Sequence, residues 1–354
     1  MTDALKHRGP DGSGLFANDR PWGSRYVGLG HRRLAILDLS PAAAQPMTDE
    51  SGRFTIVHNG EVFNYRDLRD DLRRDSAASF NSSGDTEVVL KAWAKWGTDA
   101  PRRFVGFFAF AIWDALERRL YLCRDRLGIK GIYYTEGAQE FAFASELRSL
   151  VRGGAVKQEI EPRAVDGYLA FGSVQEPWTI FKRAFALPPA TIMTVDADSL
   201  KTSTSRYWED PFAAGHDYAE PDAERLAELL QDAIRRRLIS DVPLGVFLSG
   251  GVDSSCVVAA ASRFVRKPLR TFTLDFDDPG VSESQYADLV AKRFGTDHTR
   301  HLLTEEQLYQ CLPAALRALD QPTFDGLNSY FVCKVAEGFG YPIKPLFQEV
   351  GLRS

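Results

Sequence analysis

Leu248-Ser249-Gly250-Gly251-Val252-Asp253-Ser254-Ser255 is the stretch on which the reading of this chain turns. Before it, Leu244–Leu248 is a short apolar run of strand length. After it, Ser254–Val265 is rich in alanine and valine and long enough for a helix. Glycines directly after a buried strand let the backbone come close to a ligand. Serine hydroxyls and the N–H groups opening the next helix then face an anion, helped by the positive helix end. No lysine follows and the G-x-x-x-x-G-K spacing is absent, so this is not a Walker A loop. Asp253 is an acid among phosphate-binding donors, an arrangement that makes sense when a cation such as Mg²⁺ bridges it to phosphate. A tight turn with a serine cap is the plainer alternative for Ser249-Gly250-Gly251 alone. The full octapeptide at a strand–helix junction argues against it.

Working outward, Asp222–Leu238 reads as a helix with Leu226, Leu229, Leu230, Ala233 and Leu238 on its apolar stripe. Arg270–Phe276 is a second strand, and His298–Leu303 is strand-like. Between them a helix begins near Ser282, where Ser282-Glu283-Ser284-Gln285 fits a capping box. Alternating strands and helices predict a parallel sheet. Asp325–Gly338 has Leu327, Tyr330, Phe331 and Lys334-Val335 spaced for one buried helical face. Gly340–Ser354 carries Pro342 and Pro345, and proline lacks the N–H a central strand donates. This tail is expected to stay unpaired and poorly ordered, leaving the sheet short of strands with an exposed apolar edge.

Before residue 210 strand signals predominate: Tyr26–Leu39, Phe54–Asn59, Phe107–Asp114 and Leu120–Arg124. Tyr65–Asp75 and the segment after Asp85 read as helices, with Asp85 a natural cap. Ser145 is placed to cap a short helix over Glu146–Val151, and Thr191–Thr204 reads as a hairpin. Runs of strands with a few helices predict an α+β layered domain. The domains expected are therefore 1–208, a linker at 209–221, and 222–354.

The whole chain, 354 residues and 39.5 kDa, is long enough for two such domains. Apolar residues at 44% and charged residues at 26% exclude a disordered or collagen-like chain. Lys plus Arg number 43 against 48 acids, a formal charge of -5, which argues against a nucleic-acid partner held by a broad basic surface. Cys123, Cys256, Cys311 and Cys333 are too scattered for a disulfide framework or a zinc cluster. No apolar run approaches the ~20 residues of a membrane span, and the N-terminus lacks a signal-peptide core. The expected location is cytoplasmic, with no membrane partner.

The Ser249–Ser255 loop resembles the pyrophosphate loop of the ATP pyrophosphatases, which split ATP to AMP and pyrophosphate. The first half narrows the family. His7-Arg8-Gly9-Pro10-Asp11-Gly12, Gly30-His31-Arg32-Arg33-Leu34, Asn59-Gly60-Glu61-Val62-Phe63-Asn64, Gly84-Asp85-Thr86-Glu87 and Arg124-Asp125-Arg126-Leu127-Gly128-Ile129-Lys130 occur in that order. They resemble the glutaminase domain of glutamine-hydrolysing asparagine synthetase. The likeness continues through Phe143–Leu147, Leu187-Pro188-Pro189 and Tyr330–Ala336. The resemblance implies an α+β layered, N-terminal-nucleophile glutaminase-like domain followed by an incomplete α/β parallel-sheet ATP-pyrophosphatase domain. It implies that Arg33 holds the glutamine α-carboxylate, that Glu61 and Asp85 meet its α-ammonium, and that the Asn59 side chain and Gly60 N–H form an oxyanion hole. It further implies ATP and Mg²⁺ as cofactors. Leu248 and Leu274 flank the adenine, Ser249, Gly250, Gly251, Asp253, Ser254 and Ser255 hold the phosphates, and Asp253 is the metal ligand. For Asn59-Gly60 the alternative is a hairpin turn, for Asp85 a helix cap, and for Arg33 a surface arginine beside Arg32.

The family's nucleophile is an N-terminal cysteine, and here no cysteine precedes Cys123. Thr2 precedes the segment resembling the helix before the His-Arg-Gly-Pro-Asp turn, so it does not stand where that nucleophile stands. After Ala336 the text departs from the family again. The resemblance therefore implies an amidotransferase converting aspartate, glutamine and ATP to asparagine, glutamate, AMP and pyrophosphate, with this chain an inactive fragment. A non-catalytic glutamine- or nucleotide-binding paralogue and a β-lactam-synthetase-like ligase are the alternatives. The acceptor is not legible in the sequence. Nor is the oligomeric state, with which a homodimer is compatible.

Overall fold

The computed structural model describes residues 1–18, 26–76, 78–211, 222–277, 282–338 and 344–345. It divides into two units, Met1–His216 with Asp320–Pro322, and Asp217–Leu319 with Thr323–Ser354. Among the described residues no helix is long and apolar enough to cross a membrane.

The first unit contains strands β1 (Gly12–Ala17), β2 (Gly28–Arg33), β3 (Met47–Thr48) and β4 (Phe54–Val62), then helices α1 (Tyr65–Ser76) and α2 (Thr86–Trp96). It continues through β5 (Gly106–Asp114), β6 (Arg119–Arg124), β7 (Tyr133–Glu136), β8 (Phe141–Ala144), α3 (Leu147–Arg152), α4 (Pro162–Phe171), β9 (Phe185–Ala186), β10 (Thr191–Asp196) and β11 (Thr202–Arg206). One antiparallel sheet runs β11-β10-β6-β5-β4-β3, beside a three-stranded β8-β7-β9 sheet and the β1-β2 pair. β5 shows why the unit is layered. Strand side chains alternate, so Phe108 and Phe110 face one way and Ala109, Ala111 and Trp113 the other. Trp93 of α2 meets Phe110 with ring centroids 5.8 Å apart. On the other face Ala109, Ala111 and Trp113 join Leu29, Ile132 and Leu187, with Phe16, Tyr134 and Phe143 packed around them. A strand covered on both faces reads as an unbroken apolar run, as Phe107–Trp113 does.

The second unit contains α5 (Ala223–Arg237), β12 (Leu244–Phe247), α6 (Val252–Ala261), β13 (Arg270–Phe276), α7 (Ser284–Phe294), β14 (Asp297–Leu303), α8 (Glu305–Ala318), α9 (Gly326–Gly338) and β15 (Lys344–Pro345). Its sheet, β14-β13-β12-β15, is parallel throughout, as the strand–helix alternation predicts. Val246 and Leu248 point into a core with Ile234, Val258, Ala261 and Ala287. On the opposite face Leu274 and Phe276 pack against Leu303, Ala315 and Phe331. Helices on both faces make this an α/β unit, which follows the α+β unit in the sequence.

Several local expectations are corrected. In α5 the buried side chain is Ile234, while Leu226 and Leu229 are exposed. The core takes Ile234, with Leu230 and Leu238 packed against it, from the later turns of α5, and the first turns of that helix lie outside the cluster. Ser282 stands one residue before the N-cap of α7, Glu283; its hydroxyl donates to Asp275 Oδ1 at 2.6 Å and accepts from Ser284 N only at 3.5 Å, and the capping box instead opens α8 at Thr304 and Gln307. Ser145 does not cap α3 either. Asp320 does so, accepting from Leu147 N at 2.6 Å and Arg148 N at 2.9 Å. The tail expectation is corrected at two residues: Lys344 and Pro345 pair in parallel with Leu244 and Gly245. Among the described residues they are the last strand of the sheet, and the N–H that proline lacks is not called on by a described neighbour. The remainder of Gly340–Ser354 and most of the 209–221 linker lie outside the described residues.

Candidate functional site

In the first unit the glycine at position 60 is dictated by space. Its φ is +136°, and a Cβ there would lie 2.1 Å from the Phe107 carbonyl oxygen. Asn59 and Gly60 lie inside β4, opposite Ala109 and Phe108 of β5. The hairpin-turn alternative therefore falls. Glu61 follows, buried at 7% exposure.

Asp85 occupies the N-cap position of α2 but makes no side-chain cap bond. Its Oδ2 instead accepts from Val62 N at 2.9 Å, which brings a buried carboxylate beside Glu61 on β4. The reason is tertiary: the strand N–H has no ladder partner of its own to prefer and the carboxylate reaches it.

Arg33 ends β2 and donates to the Ser40 carbonyl at 2.9 Å and to the Asp38 carbonyl. Arg32 turns away to Asp3, so the two arginines differ in role. Asp38 is a residue the sequence reading missed. Its Oδ2 accepts from Ser83 N at 2.6 Å and its Oδ1 from the Ser40 hydroxyl at 2.5 Å. Burial alone would raise its pKa, but the bonds from Ser40 and Ser83 hold it below the usual carboxylate range. Asp38 thereby joins the loop that holds Arg33 to the loop that carries Gly84 and Asp85. The spacing Asp38-x-Ser40, a side-chain turn pattern, was the available signal. The structure thus brings together the segments of Arg33, Asn59, Gly60, Glu61 and Asp85.

Cys123 is buried in β6, and burial, with Asp125 nearby, pushes its thiol well above the ordinary range. Thr2 opens a 3₁₀ turn, Thr2–Arg8, and its hydroxyl fills the space over Gly30.

In the second unit Gly250 has φ +92°, and a Cβ would meet Ala287 N, Glu283 O and Tyr286 Cβ at 2.9 Å each. The loop is tied by its serines. Ser249 Oγ accepts from Gly251 N at 3.2 Å, and Ser254 Oγ and Ser255 Oγ donate to Gly251 O at 3.2 and 2.7 Å. Gly251 is the N-cap of α6, so the first helical N–H groups have no acceptor within the helix. Asp253, in that first turn, is exposed. Leu248 is wholly buried, so only its backbone faces the loop, whereas Leu274 is half-buried.

A glutamine amidotransferase domain is matched over residues 1–208 and an asparagine synthase domain over residues 225–340. An amidotransferase unit followed by a synthetase unit is the class that fold and site define. A Methanocaldococcus jannaschii protein assigned as asparagine synthetase (glutamine-hydrolyzing) 2 is 35% identical, covering 96% of this chain and 68% of its own length. Asparagine synthetase (glutamine-hydrolyzing) 3 of Bacillus subtilis is 32% identical over 93% of this chain and 55% of its own length. Number 1 of that organism is 33% identical over 95% and 52%. The chain belongs to the glutamine-hydrolyzing asparagine synthetase family, and it spans about half to two-thirds of the length of these relatives.

Proposed function

We propose that the first unit binds glutamine and the second binds ATP, as parts of an amidotransferase of the asparagine synthetase type. The reaction is aspartate, glutamine and ATP to asparagine, glutamate, AMP and pyrophosphate. The observation that carries the reading is the placement of two buried carboxylates, Glu61 and Asp85, beside the side-chain-free Gly60. Carboxylates suit an α-ammonium, Arg33 suits an α-carboxylate, and the Asn59 amide with the Gly60 N–H suits an amide oxygen gaining negative charge. The domains are taken as 1–208 and 222–354, joined by 209–221.

Titration calorimetry of the 354-residue chain tests this. Glutamine binds, and Asp85→Ala weakens it about 10- to 100-fold, the worth of a hydrogen bond to a charged group. An unchanged affinity would overturn the assignment. With no cysteine before Cys123, this chain should release no glutamate. Release that Thr2→Ala abolishes would make Thr2 the nucleophile.

For ATP, the loop Ser249–Ser255 offers hydroxyls and helix-opening N–H groups to phosphate. Adenine is assigned to Leu248, one residue beyond β12, and Leu274, inside β13, on the family resemblance, although the Leu248 side chain is turned into the core. The exposed Asp253 carboxylate is the hard oxygen donor that Mg²⁺ prefers, and the bound ion neutralises phosphate charge. Asp253→Asn should weaken Mg-ATP by about tenfold. Tight binding indifferent to Asp253 would rule the loop assignment out.

A further inference from the structure

Behind Asn59 lies a set of hydrogen bonds that none of the proposed substrate contacts uses. His58, buried on β4, has Nδ1 3.2 Å from Thr86 Oγ1, and Thr86 is the residue after Asp85. Gln45 closes the ring. Its Nε2 donates to Thr86 Oγ1 at 3.2 Å and its Oε1 accepts from His58 N at 2.6 Å. From β2, His31 Nε2 lies 3.2 Å from the His58 carbonyl oxygen, two residues before Arg33. One polar cluster therefore touches all three segments that carry the glutamine residues.

Gln45 donates to Thr86 Oγ1, and the threonine keeps its own proton to give to His58 Nδ1. The nitrogen accepts it when the neutral imidazole carries its proton on Nε2, and in the other tautomer it donates to the second lone pair of Oγ1. His58 Nε2 and His31 Nδ1 have no hydrogen-bond partner among the described residues. The charged groups acting on the pair are all cations: Lys130 on His58, and Arg33 on His31. Burial pushes both rings down to about 4; Lys130 adds to it at His58, while at His31 the bond to the His58 carbonyl works against it and the His58 ring and Arg33 add smaller lowering effects.

We propose that His58 is a positioning residue for glutamine: it holds the Thr86 hydroxyl, and so sets Asp85 against Val62 beside Asn59 and Gly60. This rests on the glutamine reading above. Two readouts separate the two claims, the glutamine affinity and the exchange rate of the Val62 amide, whose hydrogen goes to Asp85. In the full chain, His58→Leu and the near-isosteric Thr86→Val should each weaken glutamine by about tenfold and speed Val62 exchange. The double variant should be no worse than Thr86→Val alone, because that change already removes the His58–Thr86 bond along with the one from Gln45. His58→Asn, whose amide can replace Nδ1, should restore most of the affinity, which guards against a merely unfolded variant. Effects that add independently, or a lowered melting temperature with unchanged affinity and Val62 exchange, overturn the proposal. A chain whose Val62 exchange responds as stated but which binds no glutamine upholds the positioning of Asp85 and removes the glutamine reading instead.

Discussion

Arg124→Met destabilises the first unit by about 3 kcal/mol, the cost of removing the one donor shared by three carbonyl oxygens and the half-buried Glu176 carboxylate. Arg124 is completely buried and donates five hydrogen bonds. Nη1 and Nη2 grip Glu176 at 2.8 and 3.0 Å, Nε reaches Lys130 O at 2.8 Å, and Nη2 reaches Gly128 O at 2.6 Å, with Leu187 O as the fifth acceptor. Methionine fills similar volume but leaves three carbonyl oxygens and a carboxylate without that donor. The neighbouring Asp125 accepts from the Leu127, Ile129 and Lys130 amides, so the Arg124–Lys130 motif is a loop scaffold. All six tryptophans fall at or before Trp208, so tryptophan fluorescence during urea unfolding reports the first unit selectively. A loss under about 1 kcal/mol would contradict this account, since whole domains are worth only about 5–15 kcal/mol.

Acid acts on the same transition through His58 and His31. Their folded-state pKa values, lowered to about 4 from 6.5, mean that the unfolded chain binds more protons between those limits. Stability is therefore full above pH 6.5 and falls as pH drops toward 4. His58 alone removes about 2–3 kcal/mol by pH 4.5. Asp320 works in the opposite direction, because burial raises it and protonation relieves that burial. Urea midpoints at pH 7 and pH 4.5 measure the net effect, and His58→Asn should flatten the dependence. A pH dependence that His58→Asn leaves unchanged would show that the His58 ring is not held neutral in the fold.

The site was legible in part. Gly60, Gly250 and the order of the motifs carry their signal in residue type and spacing, and the structure gives steric reasons for both glycines. Gln45 and His58 were not singled out, because an isolated Gln or His has no local pattern, and the Asp38-x-Ser40 turn pattern shows a local turn but not the reach to Ser83. Their roles depend on Ser83, Thr86 and the turn of the chain that brings those residues near.

What the sequence determined by itself is the succession of elements. β12, the glycine loop and α6, with β13 and β14 after them, follow from apolar runs, periodicity and turn residues that act within a few positions. Tertiary structure decided what each polar residue does with its hydrogen bonds. Asp85 could cap its own helix, yet it takes Val62 N, 23 residues away. Leu147 N takes Asp320, 173 residues away. Likewise Asn59-Gly60 became strand and not turn, and Lys344–Pro345 became a strand paired with β12. The physical reason is common to all four. A local pattern limits backbone conformation, but a buried donor is satisfied by whichever acceptor the folded chain brings within about 3 Å, and that choice is made only when distant segments meet.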